Sequence, residues 1–147
     1  MLSAADNQFL TQCGPSTPMG TMLRRFWQPV LLIAELPDRD SDPKSVEILG
    51  EKLLAFRDTN DHVGLIDPVC PHRGASLFFG RNEDCGIRCS YHGWKYDVNG
   101  QCVDLPSEAE QTGMQARIKL KSYPTIEQGG VIWVYMGPAE LKPAPPA

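Results

Sequence analysis

Two short stretches each pair a thiol with an imidazole: Cys70-Pro71-His72-Arg73-Gly74, and then Cys89-Ser90-Tyr91-His92-Gly93-Trp94, with sixteen residues between His72 and Cys89. In each, Cys and His sit two or three residues apart, close enough for one turn of backbone to offer both to one metal centre. A structural zinc site made from the same four groups usually takes them as a cysteine pair followed by a histidine pair. Here the pairs are mixed. A two-iron, two-sulfide cluster in which one iron takes both thiolates and the other both imidazoles needs each loop to give one ligand to each iron. The spacing therefore favours Cys70, His72, Cys89 and His92 as ligands of a [2Fe–2S] centre over a Cys₂His₂ zinc site. Neutral imidazoles in place of two thiolates remove negative charge from such a centre, favouring its reduced form relative to an all-cysteine cluster. The chemistry within reach is the transfer of single electrons.

Two loops so far apart in the chain must be brought face to face, and the elements around them read as strands. Val46-Glu47-Ile48-Leu49, Leu53-Leu54-Ala55-Phe56 and Val63-Gly64-Leu65-Ile66 are short apolar or alternating runs separated by Gly50-Glu51 and by Asp58-Thr59-Asn60-Asp61. Asn99-Gly100 between two β-prone stretches predicts a hairpin. Arg117 to Lys121 alternates and Val131 to Tyr135 is apolar enough for a buried strand. Before the strands, Ser3 with Asp6 three residues on predicts a capped helix over Ala4 to Gln12, ended by Gly14-Pro15. Thr17-Pro18 predicts a second helix through Arg25. The expected fold class is all-β, a small antiparallel β-sandwich with short N-terminal helices and the two ligand loops as a small subdomain. The expected organisation is an N-terminal helical and extended segment over 1–40, the cluster domain over 41–137, and a proline-rich linker over 138–147.

Composition narrows the partners. A chain of 147 residues with 41% hydrophobic content fits one domain with a real core. Its formal charge of −4, with Lys and Arg dispersed, gives neither nucleic acid nor an anionic membrane a basic surface. The N-terminus lacks a signal-peptide pattern and no apolar run approaches membrane-spanning length, so the expected location is the cytoplasm. Five cysteines, an odd number, argue against a disulfide framework. Cys13, Cys85 and Cys102 are read as reduced thiols.

At these residues the chain resembles the Rieske domain of ring-hydroxylating oxygenases, in the phthalate-dioxygenase branch. Gly14-Pro15 with Thr17-Pro18-Met19-Gly20, Arg24 to Val30, Ala75 to Asn82 and Val103 to Glu108 extend the likeness over nearly the whole chain. The resemblance implies an oxygenase α-subunit with a Rieske-type β-sandwich. Such a subunit takes electrons from a flavin and iron–sulfur reductase and passes them to a mononuclear Fe(II) in a neighbouring subunit of a homotrimer. Two departures from respiratory Rieske proteins matter. The extra cysteine of each loop is absent, with Tyr91 and Ala75 or its neighbours in those places, so no disulfide joins the loops. Tyr96 is shared with them, but Trp94 stands where they place a serine whose hydroxyl approaches cluster sulfur. One fewer hydrogen bond to sulfur implies the lower-potential class, and Trp94→Ser is expected to raise the potential.

Oxygen activation on a mononuclear iron takes a facial triad of two histidines and a carboxylate. The chain has three histidines, and His72 and His92 are committed to the cluster. His62, beside Asp61 at a predicted turn, is read as a solvated turn residue. The chain alone is therefore expected to carry electrons and not to hydroxylate, with the catalytic domain expected beyond the proline-rich end. A free-standing Rieske ferredoxin is the alternative. The N-terminal forty residues and the linker speak against it, because a minimal carrier needs neither. A module that keeps the fold without a cluster is disfavoured by the intact ligands. Arg73 and Lys95 are candidate docking charges or plain solvated ones; Arg24-Arg25-Phe26-Trp27 is a candidate subunit contact, with Phe26 and Trp27 as a cap on the core the equal alternative.

Overall fold

The computed structural model describes residues 1–106 and 113–146. Ser107, Glu108 and Ala147 from the stretches quoted above lie outside the described residues. Both N-terminal helices form where their caps predict. In α1 (Ala4–Thr11) the Ser3 hydroxyl accepts from the Asp6 N–H at 3.1 Å while the Asp6 carboxylate accepts from Ser3. In α2 (Pro18–Leu23) the Thr17 hydroxyl takes the Gly20 N–H at 3.0 Å, with Pro18 at the first helical position.

Ten strands follow in chain order among the described residues: β1 (Trp27–Leu32), β2 (Lys44–Ile48), β3 (Glu51–Arg57), β4 (Val63–Ile66), β5 (Arg81–Glu83), β6 (Gly86–Arg88), β7 (Lys95–Tyr96), β8 (Cys102–Asp104), β9 (Thr125–Gln128) and β10 (Val131–Tyr135). They make three antiparallel sheets, ordered β1-β10-β9, β2-β3-β4 and β5-β6-β7-β8. The fold is all-β with few short helices.

The middle sheet explains why Leu53-Leu54-Ala55-Phe56 is an unbroken apolar run. Side chains alternate across a strand. Leu53 and Ala55 enter one core with Leu65, Ile132 and Val134, while Leu54 and Phe56 enter another with Ile66, Leu77, Ile87 and Tyr96. A strand walled on both faces has no polar face to show, and each fully buried Leu or Phe there contributes about 1.5–3 kcal/mol of transfer free energy. The second core also contains Cys70, Cys89 and Trp94. The ligand loops are thus part of a hydrophobic core and not appendages to it.

Polar ties join the layers. Arg57, buried at the end of β3, donates to the Leu36 carbonyl at 2.8 Å, to Asp61 at 3.1 Å, and through both terminal nitrogens to Glu127 of β9 at 3.0 and 2.5 Å. A buried guanidinium is tolerated when its donors are met in this way. Glu51 receives Arg24 at 2.9 Å, the Tyr123 hydroxyl at 2.9 Å, and Lys121, fastening the segment after α2 to the middle sheet.

The structure differs from expectation in several places: β5, β6 and β9 are strands of three or four residues that the sequence reading did not anticipate, too short to show a period. β1 went unanticipated because Pro29 breaks the pattern. It is an edge strand with a register shift between Pro29 and Leu31, where the missing N–H is tolerated. The stretch from Arg117 to Lys121 is not a strand: a 3₁₀ turn occupies Gln115–Arg117, followed by single bridges at Lys119 and Ser122. Alternation alone does not make a strand where no neighbour continues the ladder. The hairpin at Asn99-Gly100 is present, but as the four-residue turn Asp97 to Gly100. The Asp97 carboxylate accepts from the Asn99 and Gln101 N–H groups, and Gly100 takes φ +74°.

Candidate metal centre

The two loops share one backbone frame. In the first, after β4, the Cys70 N–H donates to the Ala75 carbonyl at 2.8 Å and the Gly74 N–H returns to the Cys70 carbonyl at 2.9 Å. In the second, between β6 and β7, the Cys89 N–H donates to the Trp94 carbonyl at 2.8 Å and the Gly93 N–H returns to the Cys89 carbonyl at 3.0 Å. Both turns close on a left-handed glycine, Gly74 at φ +72° and Gly93 at φ +77°, where any side chain would be strained. The frames match; only the histidine differs, two residues after its cysteine in one loop and three in the other.

Packed together, the loops bring like to like. The His72 and His92 rings lie edge to face with centroids 4.4 Å apart, both half-buried. Cys70 and Cys89 are buried at 1% and 3% exposure. Burial pushes the Cys70 thiol up from its ordinary range and the nearby Cys89 sulfur adds to the rise, although hydrogen bonding to Tyr96 opposes it. Among the described residues no three His, Cys, Asp or Glu side chains are placed to hold a single ion. The four instead form a thiol pair and an imidazole pair, each pair drawing one member from each loop.

Groups around them fix the setting. The Tyr96 hydroxyl lies 3.3 Å from the Cys70 sulfur. Burial and that contact push the phenol well up, so it keeps its proton and is available to donate. Trp94 stacks face to face on His72, 4.4 Å between centroids and 5° between planes, and Tyr91 leans on His92 at 3.9 Å. Trp94→Ser would therefore remove a stacked ring as well as add a hydroxyl. Cys102 is buried near Cys70, its thiol pushed up chiefly by burial; Cys13 and Cys85 are partly exposed, and all five cysteines are free.

His62 is largely exposed, with Nδ1 3.7 Å from buried Asp58, as expected of a turn residue. Arg73 is exposed, Lys95 donates to the Asp84 carbonyl at 3.1 Å, Phe26 is exposed, and Trp27 packs against Tyr135 at 5.8 Å. Arg88 escaped notice in the sequence. It precedes Cys89, and its guanidinium reaches Glu83, Asp104 and the Gly93 carbonyl. It looks like any charged residue of a short strand. Its partners are spread over twenty-two positions, so no local pattern shows them. Arg81 and Arg88 hold the Glu83 carboxyl down to about 2, leaving it charged across the neutral range.

The chain belongs to the Rieske [2Fe–2S] domain family, whose pattern it matches over residues 26–124. It is 45% identical, over 100% of its length, to the phthalate 4,5-dioxygenase oxygenase subunit of Pseudomonas putida, and 44% identical over 99% to the 3-chlorobenzoate-3,4-dioxygenase oxygenase subunit of Comamonas testosteroni. In each case it spans 34% of the relative, about a third of the length of these curated proteins. Its fold matches a crystal structure of apo dicamba monooxygenase with a TM-score of 0.73 at 30% identity, covering 84% of this chain and 37% of that one. Among the described residues no helix is long and apolar enough to cross a membrane.

Proposed function

We propose that Cys70 and Cys89 hold one iron of a Rieske cluster, that His72 and His92 hold the other, and that the chain passes single electrons as the N-terminal part of an aromatic-ring-hydroxylating oxygenase subunit. The observation that carries this reading is the pairing just described, thiol with thiol and imidazole with imidazole, across two loops of one backbone frame. The donor set fits the group: two buried thiols with a phenol beside one of them, and two half-buried imidazoles at the rim. When bound, the cluster supplies a centre that accepts and releases one electron. Cys70, Cys89 and the core behind them keep water from the sulfur side, while His72 and His92 lie toward solvent, the side from which electrons enter and leave.

The rest of the assignment is proposed from the resemblance to ring-hydroxylating oxygenases. Residues 1–40 pack on the cluster domain at 41–137, and 138–147 lead toward a catalytic domain with its own mononuclear iron. A flavin and iron–sulfur reductase supplies electrons, and the intact protein works as a homotrimer. Anaerobic reconstitution with iron and sulfide tests the core of this. The expected product is red-brown, holds two irons and two acid-labile sulfides per chain, takes up one electron, and on its own forms no hydroxylated product from an aromatic carboxylate and reductase. A colourless protein containing only zinc would refute the reading.

Tyr96→Phe tests the setting of the cluster. A phenol donating to ligand sulfur stabilises the more electron-rich reduced state. A hydrogen bond of this kind contributes about 1 kcal/mol, and a tenfold change in a one-electron equilibrium corresponds to about 59 mV. The midpoint potential is therefore expected to fall by about 40 mV in a redox titration followed by absorbance. An unchanged potential in a folded variant would remove Tyr96 from the account.

A further inference from the structure

We infer that Arg88 and Trp94 form one positioning chain that sets the ring plane of His72 from the opposite loop, an inference that rests on His72 being a ligand. The chain begins in the sheet. Arg88 ends β6, and its side chain is only 15% exposed. Its Nε donates to Glu83 of β5 at 2.6 Å and its Nη1 to Asp104 of β8 at 2.7 Å, so carboxylates from the two outer strands hold the guanidinium in place. From there Nη1 also donates to the Gly93 carbonyl at 2.7 Å.

That carbonyl belongs to the peptide linking Gly93 to Trp94. The next carbonyl, that of Trp94 itself, is taken by the Cys89 N–H at 2.8 Å. With both peptides flanking the Trp94 Cα fastened, the direction of its Cα–Cβ bond is set, and packing of the buried ring restricts the rest. The indole is 4% exposed, and its N–H finds no hydrogen-bond acceptor among the described residues. The side chain is thus held by its faces and not by its polar atom. One face lies on His72, a residue of the other loop, at 4.4 Å and 5°. The torsion that turns an imidazole about its Cβ–Cγ bond is broad. A parallel wall removes that freedom and fixes how the ring nitrogen meets its metal.

The test uses the cluster-loaded chain with ¹⁴N-labelled and ¹⁵N-labelled histidine, read by pulsed electron paramagnetic resonance of the reduced state. Arg88→Gln and Trp94→Leu are expected to alter the coupling of one of the two histidines in the same sense, and to speed cluster loss to a chelator on the order of tenfold, the usual scale for partners behind a metal ligand. The double variant is expected to add nothing to either single one, because the two residues act in series. Arg88→Lys keeps a cation for Glu83 and Asp104, and so the sheet, but lacks the fork that also reaches Gly93. It is expected to fold and still show the altered coupling. Parent-like couplings in Arg88→Lys or Arg88→Gln, with only a lower unfolding temperature, would overturn the inference and leave Arg88 a plain structural tie. No histidine coupling in the parent itself would instead sink the ligand assignment beneath it.

Discussion

Cys70→Ser and His92→Ala are each expected to abolish the visible absorption of the reconstituted chain, with iron falling to background. The two replacements test opposite ends of the centre. Cys70 is the buried end, 1% exposed and in contact with the Tyr96 hydroxyl at 3.3 Å. A serine there is nearly the same size, so the loop keeps its frame and only the soft thiolate ligand is lost. His92 is the rim, and alanine there removes one imidazole from the pair at 4.4 Å while leaving Gly93 to close the turn. The stringent control is Cys102, a third buried thiol close enough to Cys70 to raise its own pKa further. Cys102→Ala is expected to keep the full spectrum. A spectrum that survives Cys70→Ser, or vanishes with Cys102→Ala, would show that the wrong thiols have been assigned. Because a group bound only by the folded state stabilises that state, the two ligand variants are also expected to unfold at lower temperature than the loaded parent, and to match the parent when all are cluster-free.

Gly86→Ala is expected to cost about 3 kcal/mol of stability, at the upper end of overpacking penalties. Gly86 lies in β6 against the backbone of β7. A β-carbon there would sit 2.5 Å from the Tyr96 carbonyl oxygen and 3.1 Å from its carbon. The obstacle is main chain and not the end of a flexible side chain, so the two strands must part by at least half an ångström. For a chain of this size about 3 kcal/mol corresponds to a fall in the unfolding temperature of roughly 6–12 °C, measurable by calorimetry. The consequence reaches the site, because the strand that moves carries Tyr96. The potential of whatever folded, loaded protein remains is expected to shift in the same direction as in Tyr96→Phe. A variant with parental stability would mean that β6 and β7 are not held together as tightly as the ladder at Ile87 and Tyr96 implies.

Arg88 connects these two regions. It sits one residue past Ile87 and one before Cys89, so the short sheet β5 to β8 serves at once as the floor of the core, the support of Tyr96 and the anchor of the second loop. The relatives differ in what their names say they act on, from phthalate to chlorobenzoate, while sharing this third of their length.

Much of this was legible in the residues because its causes are local. A thiol and an imidazole two or three positions apart must share a turn, so Cys70, His72, Cys89 and His92 announce themselves wherever the loops go. Capping is equally local, and Ser3 with Asp6, and Thr17 with Pro18, gave both helices. The run at Leu53 to Phe56 was legible as a strand, while its burial on both faces came from the packed sheets. What depended on the tertiary structure were relations between distant segments. Alternation from Arg117 to Lys121 promised a strand that no neighbouring ladder supports, while Pro29 concealed one that an edge position permits. The stacking of Trp94 on the other loop's histidine, the hold of Arg88 on Gly93, and the pairing of thiol with thiol all arise from how two loops meet. A sequence lists donors and acceptors by position along the chain, but side-chain contact falls off within ångströms in space. Only the packed sheets bring those lists together.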